Sequence, residues 1–107
     1  MSIDIIYLRE AINFLKSLPS KDSDKVAYNI DMVKAGNRDS RLFKKLNENI
    51  WEFRTDYNGK AYRLLSFWDK RKNALVVATH GFSKKTQKTP QKEIAKAEKI
   101  REEYFKS

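Results

Sequence analysis

The sequence lacks cysteine and contains only two prolines, three glycines and one histidine. Without cysteine there are no disulfides and no zinc–thiolate sites, which fits a reducing compartment. A single histidine excludes metal sites built from several histidines, and the carboxylates show no metal-ligand spacing. There is no glycine-rich phosphate loop of the Walker or dinucleotide type, and no serine in a nucleophile-elbow context. The side chains that remain for chemistry are lysine, arginine and His80.

Long apolar stretches and a basic-then-apolar leader are also missing from the sequence. No apolar run approaches the ~20 residues that a membrane-spanning helix needs. We therefore expect neither a signal peptide nor a membrane span, and a location in the cytoplasm. A length of 107 residues predicts one domain over residues 1–107. Such a chain buries roughly two-thirds of its unfolded surface, enough for a core without disulfides.

The formal net charge of +9 is concentrated in one part of the chain. Residues 1–40 sum to zero, residues 41–88 carry +8, and residues 89–107 carry +1. Basic charge that is confined to one region and interleaved with aromatic residues is typical of a surface that binds a polyanion. The alternative is a basic surface that serves only solubility.

The first 37 residues predict one strand and two helices. Alternating apolar residues indicate a short strand over residues 3–7, and an apolar stripe at helical spacing indicates a helix over residues 8–18. Ser20 is placed as the N-cap of a second helix, which ends at Gly36. We expect these two helices to form an amphipathic pair that covers one face of a sheet.

A tight hairpin is the strongest local signal in the sequence. Asn58 and Gly59 both tolerate positive φ, which a two-residue type I′ turn requires, and apolar runs flank them. The strands are therefore placed at residues 50–57 and 60–68. A two-residue loop determines which residues face each other, so the whole register of the hairpin follows.

This register places Arg54 directly opposite Arg63, on a face that we expect to be exposed. Opposed arginines repel unless an anion lies over them or nearby carboxylates, such as Glu52 or Asp56, neutralise them. We expect either arginine to be removable without loss of stability. The other face of the hairpin carries Trp51, Phe53, Thr55, Tyr62 and Leu64.

The remaining elements are a third strand and a last helix. Residues 74–79 are apolar and β-branched, which predicts a central strand that ends at His80-Gly81. Thr89 is placed as the N-cap of the last helix and Pro90 as its first residue. Residues 42–46 are read either as a short strand or as the end of a loop. The predicted fold is α+β: two N-terminal helices on a mainly antiparallel twisted sheet of about four strands, plus a C-terminal helix.

Lysine, arginine and histidine are sufficient for RNA cleavage without a metal. The 2′-OH of the RNA is the nucleophile, so the protein supplies a base, positive charge for the phosphorane oxygens, and a proton donor for the leaving 5′-oxygen. Lysine serves as the base when neighbouring cations lower its pKa. Lys84, Lys85 and Lys88 form such a cluster in the sequence.

Three segments resemble the HigB branch of the RelE/ParE superfamily of toxin–antitoxin toxins, which includes phage-related members. They are IWEFR (residues 50–54), YRLL (62–65) and THGFSKKTQKTPQKEI (79–94). The resemblance implies a small basic RelE-like toxin with a twisted sheet. It also implies binding to the ribosomal A site and cleavage of mRNA there, without metal or cofactor. The implied partners are the ribosome, the mRNA and a neutralising antitoxin, often of the helix-turn-helix type.

The resemblance also implies which side chains take part in catalysis and in RNA binding. The predicted catalytic residues are Arg54, Arg63, Lys84, Lys85 and His80. The predicted RNA-binding residues are Lys60, Lys70, Arg71, Lys72 and Lys88. Each has a structural alternative, since arginines form ion pairs, loop lysines are solvated, and a histidine at a strand end is often only hydrogen-bonded. The last helix has no tyrosine before Tyr104, so the stacking tyrosine of some relatives has no clear counterpart.

Two other functions remain open on the sequence. One is a ParE-like inhibitor that binds DNA gyrase and has no nuclease activity, and the other is a non-catalytic RNA-binding module. The basic cluster after the third predicted strand favours the nuclease, because a gyrase inhibitor needs no such arrangement of proton donors.

Overall fold

The computed structural model describes residues 2–84 and 88–107. In this part of the chain five strands form one sheet, and three helices pack against it. The strands are β1 (Asp4–Tyr7), β2 (Phe43–Lys45), β3 (Trp51–Tyr57), β4 (Lys60–Trp68) and β5 (Leu75–Lys84). The helices are α1 (Arg9–Ser17), α2 (Ser20–Lys34) and α3 (Gln91–Lys106). None of the described helices is long and apolar enough to cross a membrane.

The sheet has the order β1-β5-β4-β3-β2. β1 runs parallel to β5, whereas the other neighbours are antiparallel. The α+β class and the helix order are confirmed, but the prediction of about four strands is wrong by one. The residues left undecided at 42–46 form β2, and the parallel β1–β5 pair follows from a connection long enough for a crossover.

The predicted hairpin is confirmed in its turn and its register. Asn58 and Gly59 have φ values of 54° and 77°, as a type I′ turn requires. Arg54 lies opposite Arg63, and every pair from Tyr57–Lys60 back to Phe53–Leu64 is as predicted. Local turn chemistry is therefore sufficient to determine which side chains share a face here.

β5 extends well beyond the predicted end at His80-Gly81. It continues to Lys84, which pairs with Ala61, because β4 offers backbone partners along this whole length. The register shifts once, so that Leu65 faces His80 and Ser66 faces Ala78, leaving Thr79 as the extra residue of a bulge. Gly81 is therefore an interior residue of β5, and Lys84, the last residue of β5, belongs to the sheet.

Both predicted N-caps are wrong by one residue. Helix α2 begins at Ser20 with Pro19 in the cap position, and α3 begins at Gln91 with Pro90 in the cap position. The fixed φ of proline (−56° and −61°) already provides the extended entry that a capping residue needs. Thr89 is left available for a different contact, described below.

The two sheet faces have separate apolar cores. Helices α1 and α2 cover the face that carries Phe53, Tyr62 and Leu64, so the predicted amphipathic pair is confirmed. Helix α3 packs through Ala97 on the opposite face. The apolar partners on that face are Ile50, Leu65, Phe67 and Val77. On the sheet face that α3 covers, the end near Lys84 is occupied by polar side chains instead.

Candidate functional site

Three neighbouring strands place a group of charged side chains on the α3 face. The alternation of side chains and the register put Glu52, Arg54 and Asp56 of β3 beside Arg63 of β4. Lys84 of β5 lies opposite Ala61 and so joins the same face. We call these five residues, Glu52, Arg54, Asp56, Arg63 and Lys84, the polar cluster.

Glu52 is the buried centre of the polar cluster, with 1% of its surface exposed. Its Oε2 lies 3.4 Å from Nε of Arg54, and its Oε1 lies 3.9 Å from Nε of Arg63. The hydroxyl of Thr89 donates a hydrogen bond of 2.5 Å to Oε1 of Glu52. Asp56 accepts a 3.0 Å bond from Nη1 of Arg63. Two carboxylates therefore offset the repulsion between the opposed arginines.

The expected exposure of the arginine pair is wrong for Arg63. Its side chain is 0% exposed, whereas that of Arg54 is 16% exposed. Arg63 lies on the middle strand, β4, and the contact of Thr89 with Glu52 brings the segment before α3 over this part of the sheet. Arg63 therefore forms the floor of the cluster, and Arg54 lies at its edge.

Lys84 is the cluster residue whose acidity is most relevant to proton transfer. Its Nζ lies 3.4 Å from the Thr89 hydroxyl oxygen, and its side chain is half-buried. Burial lowers the pKa of Lys84 below its ordinary value, and the positive charge of Arg63 lowers it further. Glu52 acts in the opposite direction. A lowered pKa enlarges the fraction of neutral amine, which is the form that accepts a proton.

His80 lies inside β5 and is 3% exposed. Its Nδ1 lies 3.1 Å from the Thr79 hydroxyl, and its Nε2 lies 3.0 Å from Oε1 of Glu93 in α3. Burial lowers the pKa of His80, while the hydrogen bond with Glu93 opposes this shift. Both ring nitrogens thus contact protein groups, and the contact with Glu93 ties the first turn of α3 to the sheet.

The predicted RNA-binding residues fall into two groups at opposite ends of the sheet. Lys60 is exposed at the end that carries Lys84, and the exposed Lys88 directly precedes Thr89, which contacts Lys84. The other three, Lys70, Arg71 and Lys72, lie in the connection after β4. Trp68, the last residue of β4, lies seven residue steps from Ala61, which corresponds to roughly 23 Å at about 3.3 Å per step. Lys85, predicted to be catalytic, lies outside the described residues.

Two residues of this site were absent from the predicted set. Glu52 was considered only as a neutralising partner, and Thr89 only as a helix cap. The spacing of Glu52, Arg54 and Asp56 at every second position of one strand is the signal that identifies Glu52. No sequence signal identifies the contact of Thr89, which lies 37 positions from Glu52. Among the described residues, no three His, Cys, Asp or Glu side chains group as a metal site.

Solved structures with the same fold include several RelE toxins. The free Escherichia coli RelE toxin with two arginine-to-alanine substitutions has a TM-score of 0.64 and 15% identity, over 92% of this chain and 97% of that one. The toxin–antitoxin complex RelBE2 of Mycobacterium tuberculosis gives 0.58 and 19%, over 80% and 95%. The RelE–RelB complex of Pyrococcus horikoshii gives 0.51 and 9%, over 76% and 93%. At such identities the likeness shows a common RelE-like fold.

The family assignment rests on the sequence itself. Among curated proteins, none matches this chain significantly. The family model described as phage-derived protein Gp49-like (DUF891) matches residues 13–102, which include α2, all strands from β2 to β5 and most of α3. The chain therefore belongs to the phage-derived Gp49-like family, and it has the fold of the RelE toxins.

Proposed function

We propose that this protein is the toxin of a toxin–antitoxin system, of the HigB-like type, and that it cleaves mRNA on the ribosome. The observation that carries the proposal is the position of Lys84. This amine has a lowered pKa and lies beside two arginines that are held by a buried carboxylate, Glu52. A proton acceptor next to fixed positive charge is what cleavage by a 2′-OH requires. The RelE-like fold supports the same class of protein.

The chemical step follows from these positions. The neutral amine of Lys84 accepts the 2′-OH proton, and the 2′-oxygen attacks the adjacent phosphorus. Arg54, at the edge of the cluster, stabilises the negative charge on the phosphorane oxygens. A lysine ammonium of the 84–88 stretch, which includes Lys85, protonates the leaving 5′-oxygen. The products are a 2′,3′-cyclic phosphate and a 5′-hydroxyl.

The remaining residues support this step without contacting the reacting atoms. Arg63 and Glu52 form the buried floor that sets the charge around Lys84. His80 positions α3 through Glu93, so we assign it a positioning role rather than that of the base. Lys60 and Lys88 are exposed at the same end and contact the RNA backbone.

Translating ribosomes with a defined mRNA test the proposal. The purified protein should cut the message in the A site, as mapped by primer extension, and a single 2′-deoxy substitution at the cleaved position should abolish cutting. Cleavage of the deoxy-substituted message would contradict the mechanism. Inhibition of DNA gyrase without any cleavage would favour the ParE-like function instead, and ribosome binding without cleavage would favour a plain RNA-binding module.

Substitution of Lys84 tests the assignment of the base. Lys84→Ala and Lys84→Arg should both lower the cleavage rate about 100-fold or more, because arginine keeps the charge but cannot accept the proton. The wild-type rate should rise with pH and level off at an apparent pKa below 10.5, the ordinary value for lysine. Lys16→Ala, an exposed charge change on α1, is the control and should not alter the rate. An active Lys84→Arg protein with an unchanged pH profile would exclude Lys84 as the base.

A neutralising antitoxin is the proposed partner. RelBE2 of Mycobacterium tuberculosis and RelBE of Escherichia coli were both solved as toxin–antitoxin complexes. Because the excess positive charge of this chain lies in residues 41–88, its antitoxin should be acidic where it contacts them. Binding should therefore weaken as salt is raised, measured by calorimetry over a several-fold range of ionic strength. Affinity that is independent of salt would place the antitoxin on an apolar helix surface instead.

A further inference from the structure

A groove of about 760 Å³ lies at the end of the sheet opposite the polar cluster. Its walls come from the start of β3, the end of β4, the connection to β5 and the C-terminal part of α3. Trp51 and Trp68, the only tryptophans in the chain, both line it and are half-buried. Their rings meet edge to face with centroids 6.4 Å apart, and Phe105 of α3 adds a third aromatic ring. We call this the tryptophan groove.

Cations surround these aromatic rings. Five basic side chains line the tryptophan groove, against two carboxylates. One carboxylate, Asp69, is 1% exposed and accepts two bonds from the Arg71 guanidinium, at 3.0 and 2.9 Å. The same guanidinium lies 4.8 Å from the centre of the Phe105 ring, so its position is set before any ligand arrives. The basic residues are Lys45, Lys70, Arg71, Lys72 and Arg101.

We propose that the tryptophan groove binds an unstacked nucleotide of single-stranded RNA. Aromatic side chains stack on any base, and adjacent Lys and Arg residues neutralise the phosphates on either side. An acidic segment without aromatic side chains would use the cations but has no planar group to match the two indole rings. The combination of half-buried aromatic rings that line the groove and excess positive charge therefore favours a nucleotide over an acidic segment without aromatic side chains.

This second contact deepens the proposed function. The groove lies roughly 23 Å along β4 from the row that holds Lys84, a span of several nucleotides, so it does not belong to the cleavage site. It gives Lys70, Arg71 and Lys72 a place in RNA binding even though they lie far from the polar cluster. RNA held there would be either a distant part of the message or a nucleotide of the ribosome.

Intrinsic fluorescence reports on the groove directly, because both tryptophans of the chain line it. A 2′-O-methyl pentanucleotide has no free 2′-OH and cannot be cleaved by the proposed mechanism, so it measures binding alone. Titration of the full-length protein with this probe, without ribosomes, should quench the tryptophan emission in a saturable way. A quenching signal that stays linear in probe concentration, or no signal, would overturn the proposal.

Two double variants that remove the same amount of charge distinguish RNA binding in the groove from general electrostatic attraction to the protein. Lys70→Ala/Lys72→Ala removes two exposed groove cations, whereas Lys16→Ala/Lys21→Ala removes two exposed cations from the N-terminal helices. The first should weaken binding roughly tenfold or more at 0.1 M salt and reduce the log–log salt slope by about 1.4. The second should change affinity less than about threefold. Equal losses in the two variants would show diffuse attraction and contradict the groove.

Two further comparisons distinguish nucleotide binding from binding of an acidic protein, and binding from cleavage. A poly-glutamate peptide of equal charge should not quench the emission, and quenching as strong as that by the pentanucleotide would assign the groove to an acidic protein partner. The pentanucleotide assay requires no catalysis. If the pentanucleotide quenches the emission saturably but the protein does not cleave mRNA, nucleotide binding in the groove is supported and the proposed function is refuted. If the protein cleaves mRNA but the pentanucleotide does not quench the emission, the proposed function is supported and nucleotide binding in the groove is refuted.

Discussion

At the scale of single residues, the buried Arg63 is the most consequential side chain in the polar cluster. Its guanidinium contacts Glu52 and Asp56, and its side chain is 0% exposed. Removing it would leave the carboxylate of Glu52 buried beside fewer positive charges. The sequence-based expectation that either arginine can be removed without loss of stability therefore no longer holds for Arg63.

We predict that Arg63→Ala lowers the free energy of unfolding by about 3–5 kcal/mol, as when one partner of a buried ion pair is lost. Arg54→Ala, at the edge of the cluster, should cost less and should mainly reduce cleavage. Chemical denaturation of both variants gives the comparison. The double variant Glu52→Gln/Arg63→Met is the control, because it removes both charges and should recover part of the loss. Equal stability of the two single variants would contradict this account.

A second residue-scale prediction concerns Tyr62, whose hydroxyl donates a hydrogen bond to the carboxylate of Asp22. Burial raises the pKa of Tyr62 to about 12, and the bond to Asp22 contributes. Since the pKa is higher in the folded state than the ordinary 10.0, this stabilisation is complete below pH 10 and is lost as pH rises toward about 12.

The test is thermal unfolding of wild type and Tyr62→Phe across alkaline pH. The variant should be less stable at neutral pH, by about 1.5–3 kcal/mol, because the hydrogen bond to a charged carboxylate is lost. Its stability should also fall less steeply above pH 10 than that of the wild type. Parallel curves for the two proteins would show that Tyr62 does not cause the alkaline loss.

At the scale of elements, the contact between α1 and β5 depends on Gly81. A Cβ atom placed there would overlap the ring of Phe14, so the helix reaches the strand only because residue 81 has no side chain. Gly81→Ala should lower the unfolding free energy by about 1–3 kcal/mol through overpacking. Combining it with Phe14→Ala makes room, so the combined change should cost less than the two separate costs added together. Strict additivity in denaturation experiments would argue against a direct clash.

Across the whole molecule, the basic residues that we assign to RNA binding and cleavage are divided between two ends of one sheet. Lys60, Lys84 and Lys88 lie at the hairpin end, and the tryptophan groove lies at the other. The roughly 23 Å between them exceeds the Debye length of about 10 Å at 0.1 M salt, so exposed charges at the two ends are largely screened from each other.

The two ends should therefore act independently on cleavage. Combining Lys84→Ala with Lys70→Ala/Lys72→Ala should change the activation free energy, RT ln(kcat/KM), by the sum of the separate changes, within about 0.3–0.5 kcal/mol. Ribosome-dependent cleavage of one message by all the variants provides the measurement. A coupling well above that margin would mean that the groove and the polar cluster act as one site.

Features that depend only on neighbours along the chain could be predicted from the amino-acid sequence. Asn58-Gly59 selects the hairpin turn, the turn sets the register, and alternation then assigns Arg54 and Arg63 to one face and Phe53 and Tyr62 to the other. The apolar periodicities likewise predicted the two N-terminal helices and the last helix. These features follow from dihedral preferences and side-chain spacing, which act within a few residues.

The burial of the charged side chains, and the distant groups that contact them, depend instead on the three-dimensional fold. The burial of Arg63, the bond from Thr89 to Glu52 and the extension of β5 to Lys84 all depend on contacts across the sheet or with the residues before α3. The pKa of Lys84 depends on burial and on Arg63, which comes from another strand. Such contacts join residues far apart in sequence, and their energies depend on desolvation, which no local pattern records.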